Sequence, residues 1–432
     1  MRVLWFTTNA SCYNLVNEAE KHTGYNGGGW MSSLQREIVK REDINLGVCF
    51  CKDNEPQKVE QKEVIYYPIA NHCKTLKNKF LDLIYYKDIH RDDVLWPYYI
   101  EQFKRVIQDF KPDVIQVFGS ELYIGLATLA AKESNIPCIL HIQGLLSLYI
   151  YIYLPAGVSK WNYFLSEGLK KAYNKFQYLT YWHRSCHREK AILQAVPHVI
   201  GRTDWDKQAM SILNPLAEYH YGGEILRDCF YELSERNIPQ HNVITTTSSG
   251  ASYKGFDLVL KIANILKNEC HIDFEWKVYG NINPSFFERL TGINHECVNV
   301  KLFGVASAEQ LRESILNSTL YVQPSYVENS PNSIAEAHML GVPVVATNVG
   351  GTSSMLEHYK SGFLFPSTDP YMGAYFIKKL IEDKKLNVGM GNKGKEIAFI
   401  RHNKRKIIED LLHTYMKIVE ERGNTCKLRK RT

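Results

Sequence analysis

Two carboxylates, Glu328 and Glu336, flank a Ser-Pro-Asn-Ser turn in the run "YVENSPNSIAEAHMLGVPVVATNVGG" (Tyr326–Gly351). The preceding "LYVQPS" reads as a strand that ends at Pro324. Ser330 suits a helix N-cap and Pro331 the first helical position. The predicted helix "NSIAEAHML" then stops at Gly341 and Pro343. Glu328 would therefore sit in a loop at the C-terminal end of a strand, where open parallel sheets bind ligands, and Glu336 within the first two turns of the helix. The free N–H groups of such a helix start attract phosphate or partially charged sugar oxygens. A carboxylate inside the helix can accept from both hydroxyls of a ribose, and one in the loop from the hydroxyls of a sugar. Capping accounts for Ser330 but not for both acids.

Three other stretches carry possible chemistry. In "TSSGASYKGFDLVL" a strand ends, Gly250 permits a turn and Lys254-Gly255 opens a helix. A lysine there could neutralise a diphosphate leaving group, although a lysine at a helix start is more often simply solvated. The Gly-Lys-Ser/Thr order of a P-loop is absent. In "TGYNGGGWMSSLQREI" Gly27, Gly28 and Gly29 separate the first strand from a helix. They either let the backbone approach a ligand or form a flexible turn, and they lack the spacing of a dinucleotide-binding loop. "DWD" at Asp204–Asp206 invites a metal reading. The residues start a helix after a strand, where Thr203 or Asp204 serves as cap, and no metal is expected.

The elements that must position these groups follow a βα rhythm. "RVLWFTT", "LGVCF", "DVIQVFGS" and "CILHI" read as buried strands in the first half. "NVITTTSS", "FEWKVYG", "NVKLFG", "TLYVQPS", "VPVVATN" and "GFLFP" do so in the second. Helical patterns lie between them, which argues for parallel sheets covered by helices. A connector with Pro215, Gly222, Gly223 and Pro239 separates the two series. The expected division is 1–212, 213–402, and 403–432 as a long amphipathic helix with a basic tail. At 432 residues, two α/β domains are the natural count. The segment 145–190 is rich in aromatic and basic residues; it reads either as helices with a solvated basic face or as a surface for an anionic membrane or lipid-phosphate acceptor.

The net charge of +6 is mild and spread out, and no zinc-finger or helix-turn-helix pattern accompanies it, so nucleic acid is not an expected partner. The ten cysteines show no Cys-x-x-Cys spacing and read as free thiols of a reducing compartment. No apolar leader or spanning segment stands out, so a cytoplasmic protein is expected.

Taken in order, the lysine-glycine helix start, "VYG", "LFG", the two-glutamate run and "GFLF" resemble the retaining glycosyltransferases of family 4, which have the GT-B fold. The resemblance is densest from about residue 243 to 366 and loose before it. It implies two Rossmann-like domains facing a cleft, with the C-terminal helix crossing back to the first. It also implies transfer of a sugar from a UDP- or GDP-sugar to a glycan or lipid-linked acceptor, in bacterial surface polysaccharide assembly at the inner membrane face, with no cofactor or metal. Glu336 would hold the ribose, Glu328 the donor sugar and Lys254 the diphosphate. Asn329, Ser330, Asn332 and Ser333 would line the helix start, Gly250 would turn the lysine loop, and Gly28 and Gly29 would lie over the donor phosphates. Two departures stand out. Ser248 occupies the place of an expected arginine. Gln143 fills by register the place of an expected histidine, with His141, two residues earlier, as its rival for the active-site role. A sugar-nucleotide epimerase on the same fold, or a non-catalytic nucleotide-sugar-binding partner, are the alternatives.

Overall fold

The computed structural model of the chain describes residues 1–8, 12–13, 29–53, 58–72, 81–82, 84–85, 87–152, 154, 157–165, 169–232 and 234–429. The first sheet is built from β1 (Arg2–Thr7), β2 (Asn45–Cys51), β3 (Val59–Gln61), β4 (Val64–Ile69), β5 (Val114–Phe118), β6 (Cys138–His141), β7 (His198–Gly201) and β8 (Glu218–Tyr221). Its strand order is β3-β4-β2-β1-β5-β6-β7-β8. All neighbours pair in parallel except β3 and β4, an antiparallel hairpin turned by Lys62 and Glu63 at φ 47° and 66°. β8 lies beyond residue 212, where the sequence suggested a boundary, and pairs with β7.

The second sheet contains β9 (Val243–Thr247), β10 (Glu275–Tyr279), β11 (Val300–Gly304), β12 (Leu320–Gln323), β13 (Val344–Thr347) and β14 (Gly362–Phe365). It is wholly parallel, in the order β11-β10-β9-β12-β13-β14. β9, β12 and β13 in the middle of the sheet are buried on both faces, as expected for parallel sheets covered by helices, whereas β10 and β11 toward one edge are only partly buried. The expected pair of Rossmann-like units is thus present.

Each sheet has apolar residues packed on both faces. On one face of the first, Val3, Trp5 and Val48 meet Ile407, Leu411, Tyr415 and Ile418 of the last helix, Lys404–Arg429. That helix follows the second sheet in sequence, so it crosses back, as the resemblance implied. Trp5 Nε1 donates to the Tyr415 hydroxyl at 3.0 Å, and that hydroxyl donates in turn to Gln116. The connector docks the other way: Leu226 and Phe230 are buried with Tyr321 and Ile334 of the second unit.

The aromatic and basic segment includes the helix Leu169–Ala195. Two of its arginines leave the expected basic face. Arg184 is buried against Asp82 and Asp92. Arg188 is fully buried and donates to the Glu121 carbonyl at 2.7 Å. Among the described residues, no helix is long and apolar enough to cross a membrane.

Candidate functional site

In the second sheet the strand order reverses between β9 and β12, and the loops leaving their C-terminal ends frame a crevice. Lys254 comes from the loop after β9, in a 3₁₀ turn Ser252–Lys254 closed by Gly255 at φ 74°. A Cβ on Gly255 would stand 1.9 Å from the Pro324 carbonyl, so only glycine lets this loop rest on the one after β12. Lys254 Nζ thereby donates to Glu328 Oε1 at 2.7 Å. The same oxygen accepts from Gln323 Nε2 at 2.9 Å and Ser325 Oγ at 2.7 Å. Behind it, Gly350 at φ 50° would place a Cβ 1.9 Å from the Glu328 carbonyl. The Glu328 carboxylate is therefore fixed before any ligand arrives. Burial alone would lower the Lys254 pKa, but the Glu328 carboxylate and the Tyr253 and Tyr321 hydroxyls outweigh it and hold the ammonium above the ordinary lysine value.

Glu336 lies on the helix Asn332–Met339. Pro331 precedes the helix without a side-chain cap, and the Ser330 hydroxyl donates to Glu224 Oε2 at 2.5 Å. The expected Ser330 cap is not made: the helix starts one residue later than predicted, with Pro331 at the N-cap position, and the Ser330 hydroxyl donates to Glu224 of the first unit. Asn332 Oδ1 is buried with no partner among the described residues, and Ser333 Oγ donates to Gln323 Oε1 at 2.9 Å. Glu336 Oε1 takes both Arg227 Nε at 2.9 Å and Arg227 Nη2 at 2.8 Å. Burial raises the Glu336 pKa, and Arg227 works against it.

These groups open onto a cavity of about 470 Å³. Glu328, Glu336, Lys254, Asn332, Ser333 and Gly29 all line it, as do Ser248 and Arg227. Gly29 and Trp30, at the start of the helix Gly29–Ile38, bring the first unit to its rim. Gly28 lies outside the described residues.

The other expected residues stand elsewhere. The Gln143 carbonyl accepts from Arg202 Nη2 at 2.9 Å and Asn329 Nδ2 at 3.2 Å, and its side-chain amide points to Met31 Sδ at 3.3 Å. Asn329 Oδ1 accepts from Thr203 Oγ1 at 2.8 Å. Asn329 and Ser330 therefore tie the loop of the second unit to the first and do not line the cavity. His141 is buried one layer behind the wall, its ring 5.0 Å from that of Trp30. Its Nδ1 meets Gln116 Nε2 at 3.1 Å, and burial holds its pKa well below the usual histidine value. Gly250, at φ 75°, turns the lysine loop, and a Cβ there would strike the Asn281 carbonyl at 2.3 Å. In "DWD", Thr203 caps the helix Asp204–Leu213 in a reciprocal box with Asp206.

Three residues escaped the sequence reading. Arg202 and Glu224 form a buried ion pair where the units meet. Arg227 reaches Glu336 from the connector. No motif or spacing marks them: Arg202 lies 22 residues from Glu224, Glu224 106 from Ser330 and Arg227 109 from Glu336, and the fold alone brings these pairs together.

Residues 234–397 match the family "Glycosyl transferases group 1". Over 168 residues the chain is 26% identical to the capsular polysaccharide biosynthesis glycosyltransferase CapM of Staphylococcus aureus, covering 39% of this chain and 40% of that one. Over 145 residues it is 28% identical to a D-inositol 3-phosphate glycosyltransferase of Paenarthrobacter aurescens, covering 32% and 35%. The matched segment thus spans well under half the length of these relatives. Among solved structures, a sucrose-phosphate synthase from Thermosynechococcus elongatus is similar with a TM-score of 0.68 and 15% identity, over 98% of this chain and 100% of that one. Anabaena HepE, in complex with UDP and glucose, gives a TM-score of 0.64 at 15% identity over 96% and 99%. With two parallel sheets around a cleft, the chain has the GT-B fold, and the segment that is similar to the glycosyl transferases group 1 family lies on the second sheet.

Proposed function

We propose that the protein transfers a sugar, with retention, from a nucleoside diphosphate donor to a hydroxyl of a glycan or lipid-linked acceptor in the assembly of a bacterial surface polysaccharide. One observation carries this reading: Glu328, Lys254, Glu336 and the start of the helix Asn332–Met339 converge on one cavity at the switch point of a parallel sheet. The ribose is assigned to Glu336 and the donor sugar to Glu328. The diphosphate is assigned to Lys254 and the N–H groups at Asn332 and Ser333. As the bond to the sugar breaks, the negative charge that builds on the departing phosphate meets that ammonium and those N–H groups, which need no reorganisation. The acceptor hydroxyl attacks the same face of the sugar and passes its proton to the departing phosphate oxygen. In this scheme the leaving group is neutralised by protein groups and not by a metal. The polysaccharide setting draws on CapM, and the nucleotide class on HepE, whose structure holds UDP.

A thermal-shift series with UDP, GDP and their glucose and mannose derivatives tests the site, because a ligand bound only by the folded state raises the melting temperature. The expected result is a rise with one nucleotide and release of that nucleotide from its sugar when acceptor is added. No shift with any of them would refute the donor site.

A further inference from the structure

We propose that Arg227 reads the donor's diphosphate: it is released from Glu336 when ribose hydroxyls take over that carboxylate, and it turns to the phosphate oxygens. This rests on the reading of the cavity as a nucleotide-sugar site. Each acid lining the cavity holds a cation, Lys254 on Glu328 and Arg227 on Glu336. These two are the basic side chains among the described residues that line it. A ribose arriving at Glu336 competes for the oxygen that both Arg227 nitrogens occupy. The side chain of Arg227 is only 16% exposed, so the displaced guanidinium does not simply pass into water. Its stem is held in place as well. A Cβ on Gly29 would touch Arg227 Cγ and Cδ at 3.2 Å, so the stem packs against the start of the helix Gly29–Ile38. Only the head is left to turn. A buried charge stripped of its partner is costly, whereas a diphosphate offers the planar fork two oxygens in matching geometry. Binding a nucleoside diphosphate is then an exchange of partners that leaves neither Glu336 nor Arg227 unpaired. A bare nucleoside strands Arg227 and is rejected. Ser248, on the same wall, offers only a hydroxyl, so the duty falls on the connector residue.

Titration calorimetry of wild type, Arg227→Gln and Lys254→Gln with UDP, uridine, GDP and guanosine tests this. In Arg227→Gln the preferred diphosphate is expected to bind about tenfold weaker or worse, while its nucleoside binds as before or better. Unchanged diphosphate affinity, or an equal loss for diphosphate and nucleoside, would show that Arg227 only props Glu336 and would overturn the assignment while leaving the donor reading intact. Failure of wild type to bind either diphosphate would overturn the donor reading and this inference with it. If Arg227→Gln does not fold, the double variant Arg227→Gln/Glu336→Gln removes both charges. It is compared with Glu336→Gln alone, and the same selective loss of diphosphate binding is expected.

Discussion

A single oxygen of Glu328 gathers three donors, and this decides what its partners can be replaced by. Lys254→Ala leaves Gln323 and Ser325 on that oxygen, so the carboxylate stays satisfied and the fold should hold. Glu328→Ala removes the partner of the Lys254 ammonium and an acceptor of Gln323 and Ser325. Each substitution nevertheless removes a group aimed at charge that develops during transfer. Each is expected to slow turnover by about a hundredfold or more; Lys254→Ala should melt close to wild type, and Glu328→Ala somewhat lower, because the buried Gln323 and Ser325 lose an acceptor. Initial-rate assays alongside melting curves check this, and normal turnover in both variants would sink the site. Glu328, Glu336 and Lys254 were legible in the sequence because each follows a strand within one short loop or helix start, where local rules apply. Arg227 was not, because its meeting with Glu336 depends on where an aperiodic connector folds back. Ser330 was misread for a related reason. The capping rule puts the helix start at Pro331, whereas the helix begins at Asn332, and the Ser330 hydroxyl donates to Glu224 from the other unit.

The loops after β6, β7, β8 and β12 form one network where the units meet. Arg202 pairs with Glu224 and also donates to the Gln143 carbonyl; Ser330 and Asn329 complete the network from the second unit. Arg202 and Glu224 are buried at 4% and 2% exposure, so breaking the pair strands a charge instead of letting it hydrate. Arg202→Met is expected to cost about 3–5 kcal/mol, with Arg202→Met/Glu224→Gln recovering part of it. Urea unfolding followed by tryptophan fluorescence measures both; an Arg202→Met midpoint equal to wild type would show that the pair carries no such weight. The strands of the second sheet were legible because each carries β-branched or aromatic residues and is followed or preceded by a helical pattern, although only β12, β13 and β14 are mainly apolar runs. The β3–β4 hairpin was missed: its turn puts Lys62 and Glu63, not Asn-Gly, in the left-handed region, and Pro68 interrupts the apolar run of β4. β8 was missed because an edge strand, half in water, carries the polar sequence "EYHY".

The crossing of the last helix onto the first sheet makes the molecule one unit, and His402 sits where that crossing begins. It is 1% exposed; its Nδ1 donates to the Glu224 carbonyl at 2.8 Å, and its own carbonyl accepts from the Tyr231 hydroxyl at 2.8 Å. Burial pushes its pKa down to about 3, with the hydrogen bond to Glu224 opposing and Arg401 adding to the effect. The folded protein therefore keeps this ring neutral at pH values where the unfolded chain, near 6.5, has already protonated it. The unfolded state binds the extra proton, so this part of the stability is complete above pH 6.5 and is lost as pH falls from there toward 3. The loss approaches about 1.4 kcal/mol for each pH unit once the unfolded ring is fully charged. His402→Asn keeps an N–H donor but no titrating ring. It is expected to be less stable than wild type at pH 7.5, and the gap should narrow steadily between pH 6 and pH 4.5. Other groups titrate in this range, including buried Glu121, whose pKa burial raises to about 7 and which acts in the opposite direction. They are common to both proteins and cancel in the difference. Urea midpoints of the two proteins at matched pH values measure that difference, and a gap that stays constant across the range would mean that His402 is protonated in the fold or does not hold the crossing in place.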